Sequence, residues 1–194
     1  MSKEQNIIYF VTGNLYKYNE VLSFFIQEKI NYTLKQLHIK PIEIQAESIK
    51  EVALFKLNSV KEKIESSFFV EDAGFFVDIP LKGFPGVFSS YVFKKIGNEG
   101  ILKLINDYDN SRAHFSATTC LYFKPLDKTF IFEGNIRGKV SKNIRGKEGF
   151  GFDPIFIPDL IPNKTFAELT TEEKNKISHR GQAVKKLINF LIRY

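Results

Sequence analysis

Two adjacent carboxylates, Glu71 and Asp72, stand inside an otherwise apolar run that begins Phe68-Phe69-Val70 and resumes at Phe75-Phe76-Val77. Charges in such a setting are costly unless a cation, a metal ion or hydrogen bonds compensate them. Any fold of this chain must therefore bring compensating groups to this point. The run reads as an apolar strand that stops at the acids and at a glycine turn, Ala73-Gly74, before the chain becomes apolar again. On one reading the pair holds Mg²⁺ through oxygen ligands and retained waters, and one carboxylate orients or deprotonates an attacking water. On the other, Asp72 caps a plain β-turn.

Composition narrows the surroundings. With 194 residues, 43% of them hydrophobic, the chain can build a full core and reads as a single domain over residues 1–194, with two lobes. The single cysteine, Cys120, excludes a disulfide framework, and three histidines (His38, His114, His179) leave little from which to build a soft-ligand metal site. Residues 7–11 are apolar but far too few to span a membrane, and the N-terminal stretch lacks a signal-peptide pattern. A cytoplasmic protein with no membrane partner is expected. The formal charge of +6 calls for an anionic partner: nucleic acid, membrane surface or a phosphorylated small molecule. Lys and Arg are spread along the chain rather than massed in one tail, which speaks against a stable nucleic-acid complex.

The chain opens with a buried-type strand over 7–11 and the turn Thr12-Gly13-Asn14, followed by Tyr18, Val21, Leu22, Phe24 and Phe25 on one face of a helix running to about residue 29. A helix N-terminus after a strand offers N–H groups to phosphate oxygens, and Thr12, Asn14 and Lys17 add a hydroxyl, an amide and an ammonium. Asn14 is equally suited to be a helix cap, and Lys17 to be a solvated first-turn residue. Residues 31–39 read as a strand leading into Pro41-Ile42-Glu43-Ile44-Gln45. Ser48 and Glu51 form a capping box, and Ile49, Ala53, Leu57, Val60 and Ile64 line a helix ending near residue 66. Lys56 lies at the edge of that stripe, a snorkelling surface lysine or a ligand contact. Glu43 sits on a loop or strand end, where acids are commonly only solvated.

Residues 81–87 form a turn-rich loop. Two short helices over 89–96 and 99–105 break at Gly97, and strands over 113–123 and 129–137 make a long hairpin. Then comes Gly149-Phe150-Gly151-Phe152-Asp153-Pro154. The glycines permit positive φ, Pro154 favours an extended Asp153, and the apolar run after it reads as a strand. Such a loop either presents a flat ring and a carboxylate to a ligand or fills the core with its two phenylalanines. Thr170 and Glu173 form a second capping box, and a last helix buries Ala183, Val184, Leu187, Ile188 and Leu191. His179 and Arg180 lie at its start, where the helix dipole disfavours positive charge.

Taken in order, Thr12-Gly13-Asn14 with Lys17, Glu43-Ile44-Gln45, Glu71-Asp72 with Gly74, Phe84-Pro85-Gly86-Val87, Gly149 through Pro154, and Lys174-Asn175 with Ser178-His179-Arg180 resemble the inosine triphosphate pyrophosphatase family. The resemblance spans nearly the whole chain. It implies an α/β fold with a long mixed central sheet flanked by helices, two lobes with a nucleotide groove between them, and a homodimer. It also implies Mg²⁺-dependent attack by water at the α-phosphorus of non-standard purine nucleoside triphosphates, giving the monophosphate and pyrophosphate. Thr12, Asn14 and Lys17 then correspond to triphosphate contacts, with Lys56 and Lys174 as further cations. Glu43 and Asp72 match the acids associated with Mg²⁺, and Asp72 also the water-activating residue. Phe152 corresponds to the aromatic that stacks on the purine, Phe150 and Asp153 shape its loop, and His179 and Arg180 face the base edge. Many relatives carry Tyr or Trp at Phe152, and some place a basic residue at Ser90, the corresponding phosphate contact here. Two alternatives stand beside this reading: a Maf-like pyrophosphatase of other modified nucleotides, and a basic module that stacks single-stranded RNA on Phe and Tyr.

Overall fold

The computed structural model describes residues 6–106 and 108–194. Residues 1–5 and 107, which the single-domain expectation also covers, lie outside the described residues. Seven strands form one mixed sheet in the order β2-β1-β3-β5-β6-β7, with β4 paired to β3 alone. The strands are β1 (Asn6–Val11), β2 (Tyr32–Leu37), β3 (Phe68–Ile79), β4 (Phe84–Gly86), β5 (Arg112–Phe123), β6 (Lys128–Val140) and β7 (Phe156–Pro158). The helices are α1 (Leu15–Gln27), α2 (Ile49–Lys61), α3 (Ser89–Ile105), α4 (Thr171–Ile177) and α5 (His179–Leu191). The chain divides into two compact units. The first comprises the chain up to Asp72, Thr118–Glu133 and Ala183–Tyr194; the second comprises Ala73–Ala117 and Gly134–Gln182.

In the first unit β1 pairs in parallel with both β2 and β3. Successive side chains of a strand point to opposite faces, and this alternation splits the apolar residues into two cores. Phe10, Phe69, Leu121 and Phe123 pack with Val21 and Phe24 of α1 and with Val184, Leu187 and Ile188 of α5. Val11, Phe68, Val70, Cys120 and Tyr122 pack with Ala53, Leu57 and Val60 of α2. The Ser48 capping box is present as expected. Its helix ends at Lys61 rather than near residue 66, because the chain turns there with the Lys63 N–H donating to the Val60 carbonyl; Ile64 reaches the same core from beyond the turn.

β3 corrects the expectation that the strand stops at the acids. It runs unbroken from Phe68 to Ile79, through Glu71-Asp72-Ala73-Gly74, so no β-turn exists for Asp72 to cap. Residues 84–86 of the expected loop pair antiparallel with Phe75 to Val77 as β4.

In the second unit, Phe75, Val77, Val92, Ile101, Phe115, Phe152, Phe156 and Phe166 belong to one apolar core. α3 bends at Gly97, whose φ of 61° and ψ of −163° no other residue type adopts readily. The Ser89 hydroxyl fixes the start of α3, accepting from the Phe75 N–H at 2.7 Å and donating to the Gly86 carbonyl at 2.6 Å. Residues 153–155 form a 3₁₀ turn instead of an extended approach to Pro154, with the Ile155 N–H donating to the Phe152 carbonyl at 3.1 Å. Among the described residues no helix is long and apolar enough to cross a membrane.

Candidate active site

Because Glu71 and Asp72 are consecutive in a strand, they point to opposite faces of the sheet, and each face supplies its own lysine. Glu71 shares its face with Phe69, against α1, and Lys17 of α1 places its Nζ 2.7 Å from Glu71 Oε2. Asp72 shares its face with Phe68 and Val70, against α2. There Lys56 Nζ lies 2.5 Å from Asp72 Oδ1 and 2.8 Å from Glu43 Oε1. The lysines explain why the strand continues through its two buried acids: each carboxylate is compensated where it stands.

Lys56 is buried, not a snorkelling surface residue, while the Glu43 side chain on the loop before α2 is 68% exposed. Burial works against the Lys56 ammonium, but Asp72 and Glu43 outweigh it and raise its pKa. Burial pushes the Asp72 carboxyl above the usual carboxylate range, opposed by Lys17 and Lys56 and assisted by the neighbouring charge of Glu71. A carboxylate so placed is a stronger proton acceptor than one in water.

At the start of α1, Asn14 is the N-cap: its Oδ1 accepts from the N–H groups of Tyr16 at 2.9 Å and Lys17 at 3.2 Å. The Thr12 Oγ1 accepts from the Asn14 N–H at 3.1 Å. Capping and ligand contact are compatible, because the cap uses only the oxygen of Asn14 and leaves the amide NH₂ as its donor end.

A second cluster lies in the second unit, around residues 149–154. Asp153 is 2% exposed, and its Oδ2 accepts from the Phe150 N–H at 2.8 Å and from Lys174 Nζ at 2.7 Å. Gly149 permits this closure. Its φ is +72°, and a Cβ there would lie 2.2 Å from Asp153 Oδ2. Lys174 Nζ and Arg180 Cζ stand 5.1 Å and 5.3 Å from the centre of the Phe150 ring, within cation–π range. His179 stacks on Phe115 with ring centres 4.7 Å apart. The Ser178 hydroxyl accepts from the Gly181 N–H at 3.0 Å at the start of α5.

The two phenylalanines of this loop differ sharply. Phe152, the expected stacking ring, is 3% exposed; it stacks on Phe75 at 5.0 Å and meets the edge of Phe93 at 5.3 Å. Phe150 is only half-buried. Ser90 lies exposed in the first turn of α3, beside the anchored Ser89.

Of the residues expected at the phosphate end, Glu43, Lys56 and Asp72 stand in one cluster, Lys17 pairs with Glu71 on the opposite face, and Lys174, expected as a further cation, pairs with Asp153. Sequence reasoning did not find the partner of Glu71, although the strand period combined with Lys17 in the first turn of the preceding helix carried that information. It also passed over Asn98. That residue follows the expected break at Gly97, where a side chain free of the regular helix can bond elsewhere.

In an α/β protein, the paired acids and amines of Lys17–Glu71 and Glu43–Lys56–Asp72 are groups suited to meet a multiply anionic ligand and its cation. A sequence model of the Ham1 family matches residues 8–190. The chain is 44% identical over 182 residues to the dITP/XTP pyrophosphatase of Thermococcus kodakarensis, covering 94% of this chain and 95% of that one. It is also 44% identical over 184 residues to the dITP/XTP pyrophosphatase of Pyrococcus horikoshii, covering 95% and 96%. Among solved structures, a HAM1 protein from Coxiella burnetii superposes with a TM-score of 0.81 at 27% identity, covering 97% of this chain and 99% of that one. The Staphylococcus aureus Ham1 protein superposes with a TM-score of 0.77 at 27% identity, covering 95% and 97%. The chain belongs to the Ham1 family.

Proposed function

We propose that this protein is a nucleoside triphosphate pyrophosphatase that hydrolyses non-standard purine nucleotides, with dITP, ITP and XTP as substrates. The observation that carries the reading is the Glu43–Lys56–Asp72 cluster, with Lys17–Glu71 on the other face of the same strand, in a chain 44% identical to a dITP/XTP pyrophosphatase over 94% of its length.

Water attacks the α-phosphorus, the bond from that phosphorus to the α–β bridging oxygen breaks, and pyrophosphate leaves. Asp72 takes the proton of the attacking water. Phosphoryl transfer needs positioning and charge neutralisation more than covalent chemistry, so an inventory of lysines and carboxylates is what the reaction requires. Thr12, Asn14, Lys17 and Ser90 supply polar and cationic contacts for the triphosphate.

Glu43 and Asp72 are the residues that would hold Mg²⁺. They fit a hard cation, because both are oxygen donors and an ammonium already stands within bonding distance of each. Among the described residues no group of three or more His, Cys, Asp or Glu side chains is arranged to hold a metal. The remaining ligands would therefore be phosphate oxygens and water, as is usual for Mg²⁺. When bound, the ion neutralises charge on the phosphates.

At the base end, exposure favours Phe150 over Phe152 as the stacking ring. His179 and Arg180 are buried donors suited to an acceptor oxygen at purine position 6. Adenine offers an amino donor in place of that oxygen and so forgoes those hydrogen bonds, at about 1–3 kcal/mol each. A homodimer would cover exposed apolar residues, of which Phe84, Phe88, Tyr91 and Ile96 are examples.

The test is pyrophosphate release from a panel of nucleoside triphosphates, with and without Mg²⁺. Release from ITP, dITP and XTP that exceeds release from ATP, and that stops on chelation, is expected. Equal kcat/KM for ITP and ATP would refute the base assignment, and turnover indifferent to chelation would refute the metal site.

A further inference from the structure

The tip of the loop over residues 149–154 is backbone between two glycines of positive φ, Gly149 at +72° and Gly151 at +62°. Phe150 sits between them. Gly151 has open space around it, and a Cβ there would meet nothing within 4 Å. Glycines flanking a ring on both sides leave its direction weakly determined by local sterics. Lys174 and Arg180 stand over the Phe150 ring, and two further side chains bond the backbone of the tip. Asp153 holds the Phe150 N–H from within the loop. Asn98 reaches it from another element: its Nδ2 donates to the Gly151 carbonyl at 3.2 Å, across 53 residues of sequence.

Asn98 can do this because α3 breaks at the preceding residue, Gly97. The first half of α3 contributes to the same loop by a different route, since Phe93 packs its ring against Phe152. Ser89 anchors that half to β3 and β4. The loop is thus held at two adjacent points by two halves of one kinked helix, an apolar contact on Phe152 and a hydrogen bond on Gly151.

We propose that Asn98 is a positioning residue for the base end of the nucleotide, fixing the Gly151 peptide and through it the direction of the Phe150 ring. This rests on the pyrophosphatase reading and on Phe150 as the ring that meets the base. Asn98 touches neither the base nor the reacting atoms. Its loss affects ground state and transition state alike at the base end, so it should raise KM and leave kcat nearly unchanged.

The experiment compares Asn98→Ala, Asn98→Asp and Asn98→Gln with the unaltered protein. Asn98→Asp has nearly the same shape but no donor, and sets a carboxylate against the Gly151 carbonyl. Asn98→Gln keeps the donor on a longer arm. For the Ala and Asp variants KM for ITP is expected to rise about tenfold with kcat within about twofold, while the Ki of inorganic tripolyphosphate, which has no base, stays put. The Gln variant is expected to recover part of the loss. In the ligand-free protein, hydrogen exchange at the Phe150 and Asp153 amides should quicken about tenfold in the Ala and Asp variants, with the rest of the second unit unchanged.

A rise in KM matched by an equal rise in the tripolyphosphate Ki would overturn the proposal, as that marks general damage. Unchanged exchange at Phe150 and Asp153 would overturn it too, whatever the kinetics. Should the unaltered protein release no pyrophosphate from any nucleotide, the pyrophosphatase reading falls, and loop exchange alone still decides whether Asn98 sets the loop.

Discussion

The acid cluster of the first unit and the aromatic loop of the second both pair lysines with carboxylates, but in opposite ways. Around Lys56 the pairing is shared and partly open: one ammonium serves Glu43 and Asp72, and Glu43 is largely exposed. Around Lys174 it is closed: Asp153 and Lys174 side chains are each 3% exposed, and phenylalanine rings surround them. Removing one partner of a closed pair leaves an uncompensated buried charge, at a cost of about 3–5 kcal/mol. An open cluster can exchange partners. On the proposed function, the shared pairing is the one whose charges a ligand can enter, and the closed pairing is the one that holds the loop.

The comparison is broken most directly at Asp72. Asp72→Asn is expected to lower the rate of pyrophosphate release by about 10²–10⁴-fold, the usual contribution of a positioned general base. Circular dichroism and urea unfolding should show the fold retained. Near-normal turnover would mean that the open cluster is structural after all.

The aromatic loop is sharpened by treating its two rings separately. Phe152→Ala should destabilise by about 3–5 kcal/mol, as for a buried phenylalanine, read from urea unfolding. Phe150→Ala should leave stability much less changed and instead weaken ITP binding by about 1–3 kcal/mol, the value of a base–aromatic stack. The reverse pattern would return the platform role to Phe152.

The smallest effect concerns α4, which carries Lys174. Its capping box pairs Thr170 with Glu173. Thr170→Ala is expected to cost about 1 kcal/mol in urea unfolding. The backbone hydrogen bond from Thr170 holds the Glu173 pKa below its ordinary value. Stability from a depressed carboxylate is present above its unfolded pKa of about 4.3 and is lost as pH falls through the folded one. The destabilisation caused by Glu173→Ala should accordingly shrink as pH drops below about 4. A constant difference across that range would deny Glu173 its role in the cap.

Much of this was legible in the chain because it depends on near neighbours. The capping boxes at Ser48 and Thr170, the break of α3 at Gly97 and the buried stripe of α5 are all set by residues within a turn or two of one another. The order of motifs carried the family. The continuity of β3 was hidden because adjacent acids look like a strand end until the lysines that compensate them are in place.

What the sequence determined by itself was therefore the set of elements, their caps, and the residue types available to the site. Tertiary structure alone decided that Glu71 and Asp72 face different helices, that Phe152 is core while Phe150 keeps part of its surface, and that Asn98 reaches Gly151. The physical reason is common to all three. Strand alternation, ring burial and a hydrogen bond across 53 residues acquire their meaning only from what packs opposite, and no local propensity records that.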